Sequence, residues 1–328
     1  MASLSCSYMG LELKNPIIIA SSPLTSSLEG VKRCEDKGAG AVVLKSIFEE
    51  QITDTIKKEA EKNEEYLYSD FASSFESFSK DYYISSYLEL LTKAKKELSI
   101  PVIASINCTD SEEWGEYITR FASCGADAIE LNYYPIAADS KTDGAKVDKR
   151  AIAFAKEVRR LTRLPLSIKL GYKYSSLAYI IKAFDEANID SLVLFNRFFR
   201  PDIDIDKLTL KSSSNILSAE NEYTEALRWI ALMSAEVKTD LCASTGIYSG
   251  ESVVKLLLAG AKACQICSAA IKDIDVISRM TSFLSEWMDK HNFESISSFT
   301  ALLAQENISN GSAWERTQYM KNLILGDK

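Results

Sequence analysis

"GADAIELNYYPIA", residues 125–137, contains the fold in miniature. Gly125 supplies the left-handed turn that closes a helix, and Ala128, Ile129 and Leu131 then begin a buried strand. Side chains alternate along a strand, so Glu130 and Asn132 fall on the opposite face from Ile129 and Leu131. Pro135 stops the pairing, because proline brings no N–H to a ladder. A carboxylate and an amide aimed the same way imply a polar interior lined by strand ends.

The Gly-Ala phrase before a strand recurs as "GAGAV" (38–42) and "GAKAC" (260–264). Short apolar runs appear at "NPIIIASS" (15–22), "GAVVLKS" (40–46), "PVIASIN" (101–107) and "AIELNY" (128–133). They continue at "PLSIKLG" (165–171), "SLVLFN" (191–196), "DLCAST" (240–245) and "ACQICSA" (263–269). Helical patterns separate them. In "DSEEWGEYITRFASCG", Asp110 and Glu113 stand as cap and capping partner. Val276, Ile277, Met280, Leu284, Trp287 and Met288 form an apolar stripe at helical spacing.

Eight strands alternating with helices predict an α/β protein, a closed (β/α)8 TIM barrel spanning 1–328 as one domain. A doubly wound open sheet is the alternative. Residues 4–14 read as an N-terminal hairpin covering the barrel floor. Residues 47–100 read as a long acidic insertion after the second strand, a lid or an interface, carrying Tyr66, Tyr68 and Phe71. Residues 292–328 read as a helical tail whose last helix is opened by a capping box of Ser312 with Glu315.

Composition narrows the function. Of 328 residues, 46% are hydrophobic and 26% charged, which describes a globular domain able to bury a core. A net charge of −8 argues against nucleic acid or an anionic membrane as partner. No apolar run approaches the roughly 20 residues that span a bilayer. The N-terminus lacks the charged-then-apolar pattern of a secretory leader, and the seven cysteines are scattered, so a cytoplasmic location with reduced thiols is expected. Cys264 and Cys267 form a C-x-x-C, but residues three apart in a strand face opposite ways and cannot clip one metal. The single histidine, His291, lies at a helix end, which leaves no histidine triad and no multi-histidine metal centre.

In a barrel of this kind the chemistry sits at the C-terminal ends of the strands. Those ends are Ser21–Ser22, Lys45–Ser46, Asn107, Asn132, Lys169, Asn196, Ser244–Thr245–Gly246 and Cys267–Ser268. Wet loops explain any one of them. They explain less well two lysines and three asparagines with no carboxylate among them. Such donors suit a ligand bearing carbonyls, ring nitrogens and a phosphate. "ASTGIYSGESVVKLLLAG" (243–260) adds a strand, a small-residue turn and a helix start, where backbone N–H groups can hold phosphate.

"NPIIIASS", "VVLKS", "ELN", "IKL", "LFN", "STGI" and the tail "SAWERTQYMKNL" together resemble the dihydroorotate dehydrogenase family, class 1 type. The resemblance runs along nearly the whole chain, with Lys45, Asn132, Lys169 and Asn196 matching in order and strand position. It implies FMN at the barrel mouth, oxidation of dihydroorotate to orotate in pyrimidine biosynthesis, and a homodimer. On that basis Ala20, Ser21, Lys45, Ser46, Asn107, Asn132 and Lys169 would bind the flavin or its ribityl chain. Thr245, Gly246, Cys267 and Ser268 would hold its phosphate, and Lys45, Asn132 and Asn196 would also contact substrate. Glu130 is expected to be structural, with Lys169 on the next strand as its partner.

The chain departs from the family at the base. After the strand-4 asparagine the family reads Leu-Ser-Cys-Pro-Asn, with cysteine or serine as base; here the text is Asn132-Tyr133-Tyr134-Pro135-Ile136. Tyr134 is the candidate base, on the mouth-facing side, with Tyr133 facing the helices. The substrate-loop pattern Met-Gly-Leu-Pro-Asn is absent from 47–80. "STG" replaces Thr-Gly-Gly, and "LSAEN" stands where Gly-Gly is expected. Three readings remain: an FMN-dependent dehydrogenase, a flavin-binding relative without turnover, and a flavin-free barrel enzyme on a phosphorylated substrate using Lys45 or Lys169 for Schiff-base chemistry.

Overall fold

A computed structural model of the chain describes residues 2–48, 84–107, 111–198, 201–212 and 216–315. The chain opens with β1 (Cys6–Tyr8) and β2 (Leu11–Leu13), antiparallel around a two-residue loop, Met9–Gly10. Both loop residues have positive φ (53° and 74°), as tight hairpins require.

Strands and helices then alternate. They run β3 (Ile17–Ile19), α1 (Leu28–Asp36), β4 (Ala41–Val43), β5 (Ile47–Phe48), α2 (84–97), β6 (Val102–Asn107), α3 (Ser111–Ser123) and β7 (Ala128–Tyr133). Next come α4 (Gly144–Leu161), β8 (Leu166–Leu170), α5 (Leu177–Glu186), β9 (Ser191–Leu194), β10 (Pro201–Asp204) and β11 (Thr209–Ser212). The series ends with α6 (Tyr223–Met233), β12 (Asp240–Ser244), α7 (Gly250–Ala259), β13 (Ala263–Ile266), α8 (Ser268–Lys272) and α9 (Val276–Lys290).

Parallel pairing runs β3–β4–β6–β7–β8–β9–β12–β13, and β13 pairs back onto β3. The eight strands close, which settles a (β/α)8 barrel over an open sheet. β5 continues the second barrel strand after a break at 44–46 and pairs the end of β6, Ile47 opposite Ile106.

Alternation sorts the apolar residues into two layers. Ile17, Ile19, Val42, Ile129, Leu131 and Ile168 face outward and pack with Ile180, Phe184, Leu256 and Met280 of the helices. Ile18, Val43, Ile103, Ala128, Val193 and Ala263 face inward, and Tyr8, Met9 and Leu13 of the hairpin pack on them. Each buried Ile, Val, Leu, Phe or Met among them contributes roughly 1.5–3 kcal/mol. Nearer the mouth the interior turns polar: Ser105, Glu130, Ser167, Lys169 and Gln265 are all buried. The hairpin therefore stoppers the floor, and the polar face seen in β7 belongs to the barrel interior.

Aspartates just before or at the start of strands tie the floor together. Asp127 accepts from Val102 N–H (2.7 Å), Asp190 from Leu166 N–H (2.8 Å) and Asp240 from Met9 N–H (2.8 Å). The first two satisfy N–H groups at strand starts and the third one in the hairpin loop, each of which would otherwise be orphaned.

Three sequence expectations change. The stretch 47–100 is not wholly an insertion, because Ile47–Phe48 joins the sheet and α2 is a barrel helix, with Ile84, Leu91 and Ala94 in the outer core. The part carrying Tyr66, Tyr68 and Phe71 lies outside the described residues, as does Asp110. In the tail, 292–315 holds 3-10 turns at Ile296–Ser298, Gln305–Asn307 and Gly311–Ala313 rather than an α-helix. Asn292 and Ala301, at φ 58° and 65°, break the helical path, and Ser312 Oγ donates to Asn310 Oδ1 at 3.2 Å. Residues 316–328, where the last helix was expected, lie outside the described residues. The β10–β11 hairpin was not anticipated, although "DIDIDKLTL" (202–210) alternates on either side of the Asp206–Lys207 step.

Candidate active site

Asn132 sits at the end of β7, buried and level in register with Lys169 of β8. Its Nδ2 lies 3.1 Å from Ser46 Oγ, 3.3 Å from Ser105 Oγ and 3.3 Å from the Ile106 carbonyl. Its Oδ1 accepts from Asn196 Nδ2 at 3.3 Å. Ser46 Oγ is in turn 2.7 Å from Ser105 Oγ and 3.0 Å from Ser21 Oγ, which also accepts from Ser46 N–H at 2.8 Å. Hydroxyls and amides are thus linked across the β3, β4, β6, β7 and β9 ends. A buried polar network this fully paired is rigid, because breaking any member leaves an unsatisfied group.

Lys45 lies beside this network with Nζ 5.8 Å from the Phe48 ring centre. Asn107 Nδ2 donates to the Tyr134 hydroxyl at 3.0 Å, and Tyr134 meets Phe198 edge-on at 6.1 Å. Tyr133 points the other way and stacks on Phe154 of α4 at 4.3 Å. Burial pushes its phenol above the ordinary value, away from any role as base. Of the two tyrosines replacing the family's cysteine segment, Tyr134 is the one that reaches the mouth.

Lys169 Nζ donates to Gln265 Oε1 at 3.0 Å, and Gln265 Nε2 donates to Glu130 Oε2. This corrects the expected Lys169–Glu130 pair. Glu130 is level with Ser167, not with Lys169, and Gln265 reaches between them from β13. In the closed order β13 lies four strands from β7, so the glutamine spans the barrel interior. Glu130 Oε1 and Ser167 Oγ are buried without a hydrogen-bond partner.

At the other side of the mouth, Thr245 and Gly246 both have positive φ, 77° and 74°. A β-branched residue in that region is strained, and Thr245 is held there by donation from Oγ1 to the Phe195 carbonyl at 2.9 Å. "STG" has therefore kept a glycine-type backbone where the family writes glycine. A Cβ on Gly246 would lie 2.4 Å from the Tyr223 nitrogen. Gly246 N–H donates to Ser218 Oγ (3.3 Å), and Ser218 N–H donates to Ser268 Oγ (3.0 Å). Cys267 precedes α8; burial pushes its thiol up while the Lys169 charge pulls it down, so it stays a thiol.

Ala20, Ser21, Lys169, Asn196, Thr245 and Cys267 line a cavity of about 150 Å³. A second cavity of about 340 Å³, lined by Tyr172, Phe195, Phe198, Arg197, Glu222 and Thr245, adjoins it. Arg197 ties the rim, with Nε 2.9 Å from Glu222 Oε2 and Nη1 donating to the Ile216 carbonyl at 3.0 Å. The structure thus brings Ala20, Ser21, Ser46, Asn132, Lys169, Asn196, Thr245, Gly246, Cys267 and Ser268 around one mouth, with Lys45, Asn107 and Tyr134 at its rim.

Sequence reading missed Gln265, Ser105, Ser218 and Arg197. Alternation in "ACQICSA" puts Gln265 on the same face as Ala263, the one signal in the sequence that points to it. Among the described residues no cluster of His, Cys, Asp and Glu could hold a metal, and no helix is long and apolar enough to cross a membrane.

The family model described as dihydroorotate dehydrogenase matches residues 3–288. The catalytic subunit of dihydroorotate dehydrogenase B (NAD(+)) from a Geobacter species is 25% identical over 308 residues, covering 92% of this chain and 98% of that protein. The corresponding subunit from Methanosarcina acetivorans is 27% identical, covering 89% and 94%. A putative dihydroorotate dehydrogenase A (fumarate) from Aeropyrum pernix is 28% identical, covering 82% and 86%. With the match spanning most of the barrel and the strand-end residues gathered at one mouth, the chain belongs to the dihydroorotate dehydrogenase family.

Proposed function

We propose that this chain binds FMN at its barrel mouth and oxidises dihydroorotate, or a close ring analogue, by removing hydrogen from adjacent ring carbons. The observation that carries the reading is Lys169, a buried ammonium level with Asn132 beside the Thr245–Gly246 turn. A cation fixed there stabilises negative charge developing on a bound ring.

The donor set fits a flavin. Ser21, Ser46, Asn132 and Lys169 offer hydroxyl, amide and ammonium groups to ring carbonyls and nitrogens, with Ala20, Lys45 and Asn107 beside them. The left-handed Thr245–Gly246 turn, with Cys267 and Ser268 at the next strand end, offers backbone N–H groups to a phosphate. The Gly246 N–H is taken by the Ser218 hydroxyl and the Ser218 N–H by the Ser268 hydroxyl, so a phosphate there would have to displace those two bonds. When bound, FMN supplies a ring that accepts a hydride.

The chain's own residues do the rest. Asn132 and Asn196 orient substrate through amides locked to each other and to Ser46. Lys45 contributes a positive charge at the rim. Tyr134 Oη takes the ring proton. An unperturbed tyrosine titrates near 10 and cysteine near 8.5, so phenolate is scarcer at neutral pH, an added cost of about 2 kcal/mol. The resemblance further implies a soluble homodimer in the cytoplasm, which light scattering would test.

Purified protein should be yellow and release FMN on denaturation, and Lys169→Ala should be purified without it and bind added FMN only weakly. Anaerobic dihydroorotate should bleach the flavin. Colourless protein that fails to take up FMN overturns the reading. A second reading, flavin binding without turnover, is favoured by the lack of any cysteine or serine at 133–136; flavin that binds but is never reduced would select it.

A further inference from the structure

Glu130 is fully buried and Lys169 nearly so, yet the two are not in ion-pair contact. Leaving buried opposite charges apart is unusual, since each unpaired ion in a dry interior costs several kcal/mol. Gln265 stands between them. A carboxylate only accepts and an ammonium only donates. The amide can therefore satisfy both neighbours in one orientation: Nε2 toward Glu130, Oε1 toward Lys169. Its dipole is aligned between opposite charges, and both hydrogen bonds are charge-assisted.

The arrangement has a geometric consequence. A direct pair would draw Lys169 Nζ down to the Glu130 layer, level with Ser167. The glutamine interposes its amide dipole and keeps Nζ one amide away from Glu130, with Lys169 on the strand position level with Asn132. Gln265 comes from the opposite wall of the barrel, so its reach sets the height of the cation.

We infer that Gln265 is a positioning residue: it holds Lys169 off Glu130 and fixes the ammonium at the height where the barrel mouth receives its ligand. The inference rests on the FMN reading and deepens it, because Gln265 acts on the cofactor only through Lys169.

The test titrates FMN into apoprotein and follows quenching of flavin fluorescence, for wild type, Gln265→Met, Lys169→Ala and the double variant. Gln265→Met keeps the length but removes both amide bonds. Losing the charge-assisted bond that places Lys169 should weaken FMN binding by about tenfold or more. The double variant should bind no more weakly than Lys169→Ala alone, the coupling expected of residues acting through one group. Gln265→Met binding FMN like wild type, or losses that simply add, would overturn the inference while leaving the cofactor reading standing. Wild-type apoprotein that takes up no FMN overturns both. Gln265→Glu keeps the test alive should the methionine variant fail to fold. It removes the Nε2 donor to Glu130 and sets a second carboxyl between Glu130 and Lys169, so FMN should bind more weakly and its two-electron midpoint potential should move negative. An unmoved potential in a folded, flavin-loaded Gln265→Glu protein would show a merely structural role and sink the proposal.

Discussion

The side-chain amide of Asn107 donates to the Tyr134 hydroxyl at 3.0 Å, joining the end of β6 to the loop after β7 at the barrel mouth. A donor aimed at a phenol oxygen favours its anionic form. If Tyr134 is the base, flavin reduction by dihydroorotate should rise toward alkaline pH. Asn107→Ala should move that rise to higher pH. Tyr134→Phe should slow reduction by about 10²–10⁴-fold, the usual worth of a positioned base, while FMN stays bound. Anaerobic stopped-flow at several pH values reads all three. A phenylalanine variant that reduces its flavin as fast as wild type would remove Tyr134 from the chemistry.

Ser218 occupies a phosphate-side position by hydrogen bonding, not by bulk. Its Oγ takes the Gly246 N–H at 3.3 Å, and its own N–H is taken by Ser268 Oγ. Ser218→Gly frees the Gly246 donor for a ligand phosphate. One neutral hydrogen bond is worth about 1 kcal/mol net, so FMN should bind roughly fivefold tighter. Glycine costs backbone entropy, about 0.5–1 kcal/mol by the helix and strand comparison, so the apoprotein should be slightly less stable. Calorimetric titration beside a urea curve separates the two effects. Weaker FMN binding would mean the serine hydroxyl contacts the ligand.

Two glycines with φ near 74° should respond very differently to alanine. At Gly10 nothing lies within 4 Å of the added Cβ, so only the left-handed penalty of about 1–2 kcal/mol applies. At Gly246 the Cβ meets the Tyr223 nitrogen at 2.4 Å and the Glu222 carbonyl carbon at 2.8 Å. Backbone at the start of α6 must move, adding about 1–3 kcal/mol of overpacking. Urea midpoints should rank wild type above Gly10→Ala above Gly246→Ala. Equal midpoints for the two variants would contradict the close approach.

The barrel was legible because its signals are local. Gly-Ala at a helix end and apolar runs of strand length recur with a period that no long-range knowledge is needed to see. The same alternation told that Glu130 and Asn132 share a face, and that Tyr133 and Tyr134 part company. What it could not tell is which side chains meet across the interior. Register reasoning looks to the neighbouring strand, and so gave Glu130 to Lys169. Closure brings the wall four strands away into reach, and Gln265 takes both charges. The Ser218–Gly246 bond was hidden for a related reason: it joins a loop to a turn 28 residues later, and no pattern in "LSAEN" marks it. Ser312 lies inside the Gly311–Ala313 turn with its hydroxyl donating to Asn310, and the helix it was expected to open falls outside the described residues.

Acid should loosen the floor of the barrel before it disturbs the mouth. Asp185 links α5 to the start of β12, accepting from Lys182 Nζ (3.0 Å), Lys238 N–H (2.8 Å) and Thr239 N–H (3.0 Å). Burial alone would raise its carboxyl, but those hydrogen bonds outweigh it and hold the group below its ordinary value. Glu35 does the same between α1 and the start of β6: burial raises it, and donors from Ser99 and Ile100 bring it lower. A carboxyl depressed in the folded state stabilises above its unfolded value, about 3.9 for Asp and 4.3 for Glu. That contribution is lost as pH falls through the folded value. Asp240 has the opposite sign, since burial lifts it in the fold, and stability is regained as pH falls through its raised value. The urea midpoint should therefore drop below about pH 4. Asp185→Asn should lower the midpoint at pH 7 yet make the acid decline shallower, and Asp240→Asn should make it steeper. An Asp185→Asn profile parallel to wild type from pH 7 to pH 3 would show that this carboxylate does not hold the floor.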